Sequence, residues 1–457
     1  MSSLRASVAA LVIFGAMILG PASEPSAAEE GLFEQDRLTG NWGGVRKELQ
    51  DAGIDLGVND IAETLSNPTG GIRQLTIYQG LLDLSLNLDL EKLANWPAAS
   101  FYVDGYQISG RGLSRNAVGN LLAVSTIEAL ASTRLHDLWL QQEFLDHQAS
   151  LRVGQIALDD EFYISQYSAI FVSSTFGCPD ILSTDLPSGG PCYPFATPGA
   201  RFRVAPTTGL TFSAAAFNGN PAPPGKRDPQ IRNSSGTNFL VGEGGFLPIA
   251  ELAYAFDEEP ISSSRLSDVK LGAWYHTADF PDLRRESLGR SLADPTSNGI
   301  AATHSSNFGA YLVVDKMLWR RPDTATQGLA AFLRVGGAPA DRNLISLELD
   351  VGLTFKGLFP GRELDVLGVG ASYARIGYAR RLDRDEILFT GIGRPVRDYE
   401  TVLEVTYEAR IAPWWVLQPD LQLVFHPGGY TAAPPPAPVG QPISNALVLG
   451  LRSAITF

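Results

Sequence analysis

Asn445–Phe457 reads NALVLGLRSAITF, and its alternation decides the fold. Leu447, Leu449, Leu451, Ile455 and Phe457 share one parity, with Ser453 the single lapse. Ala446, Val448, Gly450, Arg452, Ala454 and Thr456 take the other, small, polar or charged apart from Val448. A period of two is a strand with one apolar face. Phe457 is the last residue of the sequence, which leaves lipid as the expected cover of that face. A strand closing a barrel would also remove the unpaired edge that lipid does not tolerate.

The pattern recurs. In ISLELDVGLTFK, Ile345, Leu347, Leu349, Val351, Leu353 and Phe355 alternate with Ser346, Glu348, Asp350, Gly352, Thr354 and Lys356. YETVLEVTYEARI (Tyr399–Ile411) and LLDLSLNLDL (Leu81–Leu90) repeat it. Each run is about ten residues, the length a tilted strand needs to cross the hydrocarbon layer; sandwich strands are typically about five or six. Weaker runs occur at SFYVDGYQIS, LHDLWLQQEF, SLRVGQIAL, LTFSAAAF, AELAYAF, VKLGAWYH, GAYLVVD and LAAFLRVGG. Trp274, Tyr275, Trp319, Phe389, Trp414 and Trp415 sit near strand ends, as interfacial girdles do. The stretches 221–236 and 281–306 read as long polar loops. The alternation predicts that Arg is excluded at Leu349 and far better tolerated at Asp350.

The amino terminus reads as an export signal. Arg5 precedes an apolar run from Ala6 to Leu19, Pro21 breaks it, and Ser26-Ala27-Ala28 offers a cleavage site. The domain reading is a signal peptide over 1–28, a periplasmic segment over 29–53 and a transmembrane barrel over 54–457. Within the segment, GGVRKELQDAG predicts a helix with Val45, Leu49 and Ala52 on one face and Gly53 past its end.

A net charge of −14 argues against nucleic acid as a partner. Beyond the leader, no stretch is apolar for long enough to cross a membrane as a helix. Two cysteines, Cys178 and Cys192, bracket a Pro/Gly/Ser-rich stretch. Export to an oxidising compartment makes a disulfide within one loop their natural reading. A metal site there lacks a neighbouring His or a paired Cys, and neither a metal nor a cofactor is expected.

Taken together, LTGNWGGVRKELQDAGI, ISGRGLSRN, LWLQQEF, LRVGQ…DDEF, PWWVLQPDLQLVFHPGG and NALVLGLR resemble the carbohydrate-selective porins of the OprB-like family, in that family's order over roughly residues 38–457. The resemblance implies an all-β, 16-stranded antiparallel barrel in a Gram-negative outer membrane, passing sugars by diffusion. It implies monosaccharides or short oligosaccharides as solutes and the barrel assembly machinery as a partner. The chain would be a monomer or a homotrimer. The terminal aromatic resembles the assembly signal of outer-membrane proteins.

Parity supplies lumen candidates. If Leu138, Leu140 and Phe144 face lipid, then Asp137, Trp139, Gln141 and Glu143 face inward, and Trp139 offers either a ring for stacking a sugar or a packing tryptophan. Asn59 and Glu63 turn inward opposite Ile54, Leu56 and Val58. Asp104 shares a face with Tyr102 and Tyr106, and Arg111 would face a carboxylate across a narrowing. The bracketed Cys178–Cys192 loop would fold inward and set the aperture. The competing reading is a general or cation-selective porin, drawn from Glu348, Asp350, Glu404 and Glu408. An outer-membrane barrel enzyme would need a nucleophile with a positioned base. His136, assigned lipid-face parity, His147, His276, His304 and His426 lie in no such motif, so no enzyme is expected.

Overall fold

The computed structural model describes residues 31–242, 244–258, 265–322, 324 and 326–457; the signal-peptide reading lies outside them. Period-two segments become strands. The first nine are β1 (Ile54–Gly71), β2 (Thr76–Asp89), β3 (Ala99–Gly110), β4 (Ser132–Phe144), β5 (Ala149–Ile156), β6 (Thr197–Val204), β7 (Leu210–Asn218), β8 (Phe246–Glu258) and β9 (Arg265–His276). A small hairpin follows, β10 (Phe280–Glu286) with β11 (Ala301–His304). Then come β12 (Asn307–Arg320), β13 (Gly328–Gly337), β14 (Ile345–Lys356), β15 (Val366–Ile376), β16 (Tyr399–Ala412), β17 (Trp415–Phe425) and β18 (Ser444–Thr456).

Sixteen of these, all but β10 and β11, close into one barrel. Each pairs antiparallel with its neighbour, and β18 closes on β1 from Asn59↔Thr456 to Gly71↔Ser444. Along β14, Val351 and Leu353 are exposed on the outer face while Glu348 and Asp350 are fully buried inside. On β18, Leu449 and Leu451 face out, and Val448, the odd member of its parity, is buried inside. A barrel whose inner face is partly dry explains that valine.

The two rims differ. One carries turns such as 145–148, 205–209 and 413–414; the other carries 111–131, 157–196, 219–245, 277–306, 377–398 and 426–443. In outer-membrane barrels the short turns face the periplasm. Helix α1 (Val45–Asp51) lies on that side, and Gly53 follows it at φ +94°, a conformation open to glycine. Val45 is exposed, however, and the buried residue is Arg46. Its guanidinium donates to the Phe457 carbonyl at 3.0 Å and lies 4.1 Å over the Trp42 ring.

Two girdle aromatics sit elsewhere. Trp274 is buried in the wall, and Phe389 lies on the helix Ala379–Thr390 of a long loop. That helix receives the β10–β11 hairpin through Arg284, whose Nε donates to Asp385 at 2.7 Å. The same bond holds the Asp385 carboxyl below the usual carboxylate range.

Candidate functional site

The 157–196 loop runs inward and fills much of the lumen, with Leu158, Phe162, Val172 and Leu182 all buried. A loop inside a barrel carries backbone N–H groups that need partners. Inward carboxylates of the wall supply them. Glu251 on β8 accepts from the Tyr163 N–H at 3.0 Å. Asp315 on β12 accepts from Gln166 at 2.9 Å. Glu404 on β16 accepts from Val172 at 2.6 Å and Ser173 at 3.1 Å. Glu348 on β14 accepts from Asp180 at 3.0 Å and Ile181 at 2.6 Å. Arg334 on β13 joins Asp350 at 2.8 Å to the Gly177 carbonyl, also at 2.8 Å. Glu400 holds the 111–131 loop through Leu121 and Leu122, and the 426–443 loop through Gly428.

Packing reinforces these bonds. Phe171 and Phe176 lie 4.4 Å apart and press on a wall stripped of side chains at Gly368 and Gly370. A Cβ at Gly370 would stand 2.8 Å from the Phe171 ring. Cys178 and Cys192 are bonded to each other within the same loop.

Between the 111–131, 157–196 and 219–245 loops and the wall at Tyr106 and His136 lies a cavity of about 690 Å³. Its charged lining is Glu128, Asp159, Asp160, Asp180 and Asp228 with His136; among the described residues no Lys or Arg lines it. Ser125, Thr126, Ser174 and Tyr193 add hydroxyl groups.

None of Asn59, Glu63, Asp104, Arg111, Trp139, Gln141 and Glu143 lines that cavity. Asn59 bonds to Thr456 at 3.1 Å in the barrel seam. Glu63 is buried and accepts from Gln79 and Ser125, each at 2.7 Å, and from Arg452, so it braces a loop. Asp104 is buried and accepts from the Asp137 N–H. Arg111 is exposed beyond the end of β3, seven positions and roughly 23 Å of strand from Asp104 at ~3.3 Å per residue, so the two do not face each other. Trp139 does point inward, but both ring faces are covered. Tyr102 on β3 stacks at 5.0 Å, and the Arg152 guanidinium on β5 lies 3.6 Å over the ring. Gln141 accepts from Arg152 at 3.1 Å and Arg201 at 3.0 Å, and donates to Glu143 at 3.1 Å. These residues form a knitted polar wall.

The cation-porin argument from strand parity also changes. Glu348, Asp350 and Glu404 do face inward, yet each is 0% exposed beneath the 157–196 loop and cannot line a conduit, while Glu408, the fourth, stays partly exposed and pairs with Arg410 at 3.6 Å. His136 is the clearest reversal. Between Val103↔Leu138 and Gly105↔Leu135 the β3–β4 register slips, so His136 and Asp137 both oppose Asp104. Such a bulge re-aims a side chain, and His136 points inward, 3% exposed and stacked 4.5 Å from Tyr106. Strict alternation could not have found it; nor did it single out Arg152, Arg201 or Arg334.

A closed 16-stranded barrel with lipid-facing apolar residues and a lumen narrowed by inward loops is an outer-membrane porin, a channel and not an enzyme. The chain belongs to the OprB family of carbohydrate-selective porins, whose profile matches residues 73–457. It is 24% identical over 472 residues to Porin B of Pseudomonas aeruginosa, an alignment covering 99% of this chain and 97% of that one. The high-pH structure of Pseudomonas putida OprB shares the fold at TM-score 0.82 and 22% identity, covering 94% of this chain and 100% of that one. The low-pH structure of the same protein gives 0.57 at 17% identity, over 93% and 99% of the two chains.

Proposed function

We propose that monosaccharides and short oligosaccharides cross the outer membrane through the cavity between the pinned loops. Family membership establishes passive, carbohydrate-selective diffusion; the cavity carries the finer reading. A volume of 690 Å³ corresponds to about 20 waters at ~30 Å³ each, room for a small sugar with part of its hydration shell. Hydroxyls and carboxylates that exchange hydrogen bonds with sugar hydroxyls give weak binding, which a conducting site requires. Asn59, Glu63, Asp104, Gln141 and Glu143 act behind this surface, holding loops and wall in place, and Arg111 acts at the outer mouth. Residues 1–28 are removed on export, 29–53 form the periplasmic segment, and the terminal Phe457 is read by the assembly machinery. The barrel works as a monomer or homotrimer.

In planar bilayers the purified protein should form an open pore whose ion current falls on addition of a monosaccharide. Five cavity carboxylates, with no Lys or Arg lining the cavity among the described residues, also favour a second reading, a general or cation-selective porin. Salt current indifferent to every sugar, yet strongly cation-selective, would put that reading in place of the first.

A further inference from the structure

The bulge in β4 assembles a group that sugar passage does not require. His136 Nδ1 lies 3.6 Å from Asp104 Oδ1 and 3.9 Å from Asp137 Oδ1. A ligand atom from each of His136, Asp137 and Asp160 falls within 4.8 Å of the other two. Both ring nitrogens of His136 are buried and make no hydrogen bond, although the ring lines the cavity. A buried imidazole held beyond hydrogen-bond distance of its neighbouring carboxylates is costly unless something bridges the gap.

The carboxylates point the same way. Among the described residues, no Lys or Arg nitrogen lies within 4.0 Å of Asp104, Asp137, Asp159 or Asp160, so His136 is the one basic side chain that close to this concentration of negative charge. Their oxygens are aimed: the Ala157 N–H donates to Asp137 Oδ1 at 2.9 Å, and the Asp137 N–H donates to Asp104 Oδ1. Trp139 Nε1 holds the other Asp137 oxygen at 3.2 Å. Metal-binding carboxylates are oriented by such outer hydrogen bonds. Zinc–ligand bonds of ~2.0–2.1 Å at tetrahedral angles imply ligand spacings of about 3.4 Å, close to those between His136 and the two wall carboxylates.

We propose that His136, Asp137 and Asp160, with Asp104 beside them, form a divalent-cation site of the kind zinc takes, joining the 157–196 loop to the wall at the edge of the cavity. Imidazole among the ligands favours zinc over calcium or magnesium, which prefer all-oxygen sets. Bound zinc narrows the cavity and removes part of its negative charge.

The test is titration of the full-length detergent-purified protein with zinc chloride by calorimetry, with metal content read by mass spectrometry. About one zinc per chain is expected. Affinity should fall by more than about tenfold, the least that even outer-shell losses cost, in both His136→Gln and Asp160→Asn. Asp160 is exposed and makes no hydrogen bond, so its variant keeps the test sound if the His136 variant fails to give the heat-modifiable folded band. In bilayers, micromolar zinc should lower the current and EDTA should restore it, in the native protein alone. Absence of zinc binding, equal binding in native protein and both variants, or binding of calcium but not zinc would overturn the assignment. Binding is read without any sugar, so this result is independent of the solute the pore carries.

Discussion

On β12–β16 five inward acids are dry: Asp315, Glu348, Asp350, Glu400 and Glu404 are each 0% exposed and each meets loop backbone or Arg334. On β3–β5 the inward polar residues are mixed: Asp104, His136 and Asp137 are buried, Arg152, Gln141 and Trp139 are partly covered by one another, and Asp160 of the adjoining loop is exposed. The same residue types serve as loop anchors on one side and as a wall, lined at its edge by His136 and Asp160, on the other. Inward parity in a barrel therefore does not mean contact with solute. What decides it is whether a loop lies on top.

The largest expected difference between the two sides comes from charge removal. Arg334→Ala leaves Asp350 buried and unpaired, which should cost ~3–5 kcal/mol. Arg152→Ala should cost less, ~1–3 kcal/mol, because Glu161 keeps its pair with Arg201 at 2.8 Å. Thermal unfolding followed by loss of heat-modifiable migration measures both, and equal costs would erase the distinction.

Next comes the outer wall against the inner one. Leu349→Arg should cost ~2–4 kcal/mol near the bilayer midplane. Alternation predicts a much milder effect at Asp350, but there the structure places a second guanidinium against buried Arg334, so Asp350→Arg should be at least as damaging. Yield of folded barrel in the outer membrane decides between them.

A loss of similar size should follow Glu404→Leu, which orphans the Val172 and Ser173 N–H groups at ~1–3 kcal/mol each. Conductance should rise and sugar block weaken as the loop loosens. Asp160→Leu, on the lining side, should change ion selectivity while altering the stability of the zinc-free protein by no more than about 0.5 kcal/mol, since substitutions away from such anchors cost little. Trp139→Ala should alter sugar block least, because both ring faces are already occupied by Tyr102 and Arg152. Strong loss of block there would mean that the ring opens to solute.

Long strands were legible because lipid on one side and polar contacts on the other force a period of two. β6 and β15 were not singled out: β6 opens on Thr197-Pro198-Gly199, and β15 has glycines where Phe171 and Phe176 need space. The inward loop was legible in outline from its cysteines. Its anchors were not, since Glu404 and Val172 are 232 positions apart and nothing local marks them as partners. His136 escaped because one extra residue in β4 reverses the parity on which the reading rests.

The anchors grip main chain. Glu348, Glu400 and Glu404 bind amide N–H groups, which every residue but proline carries, so the grip is indifferent to the side chains the loop displays. Loop positions facing the cavity can therefore be exchanged without unfastening the loop. A lineage of such barrels could retune its diet by rewriting the lining alone, while the carboxylates beneath go on holding whatever text is laid over them.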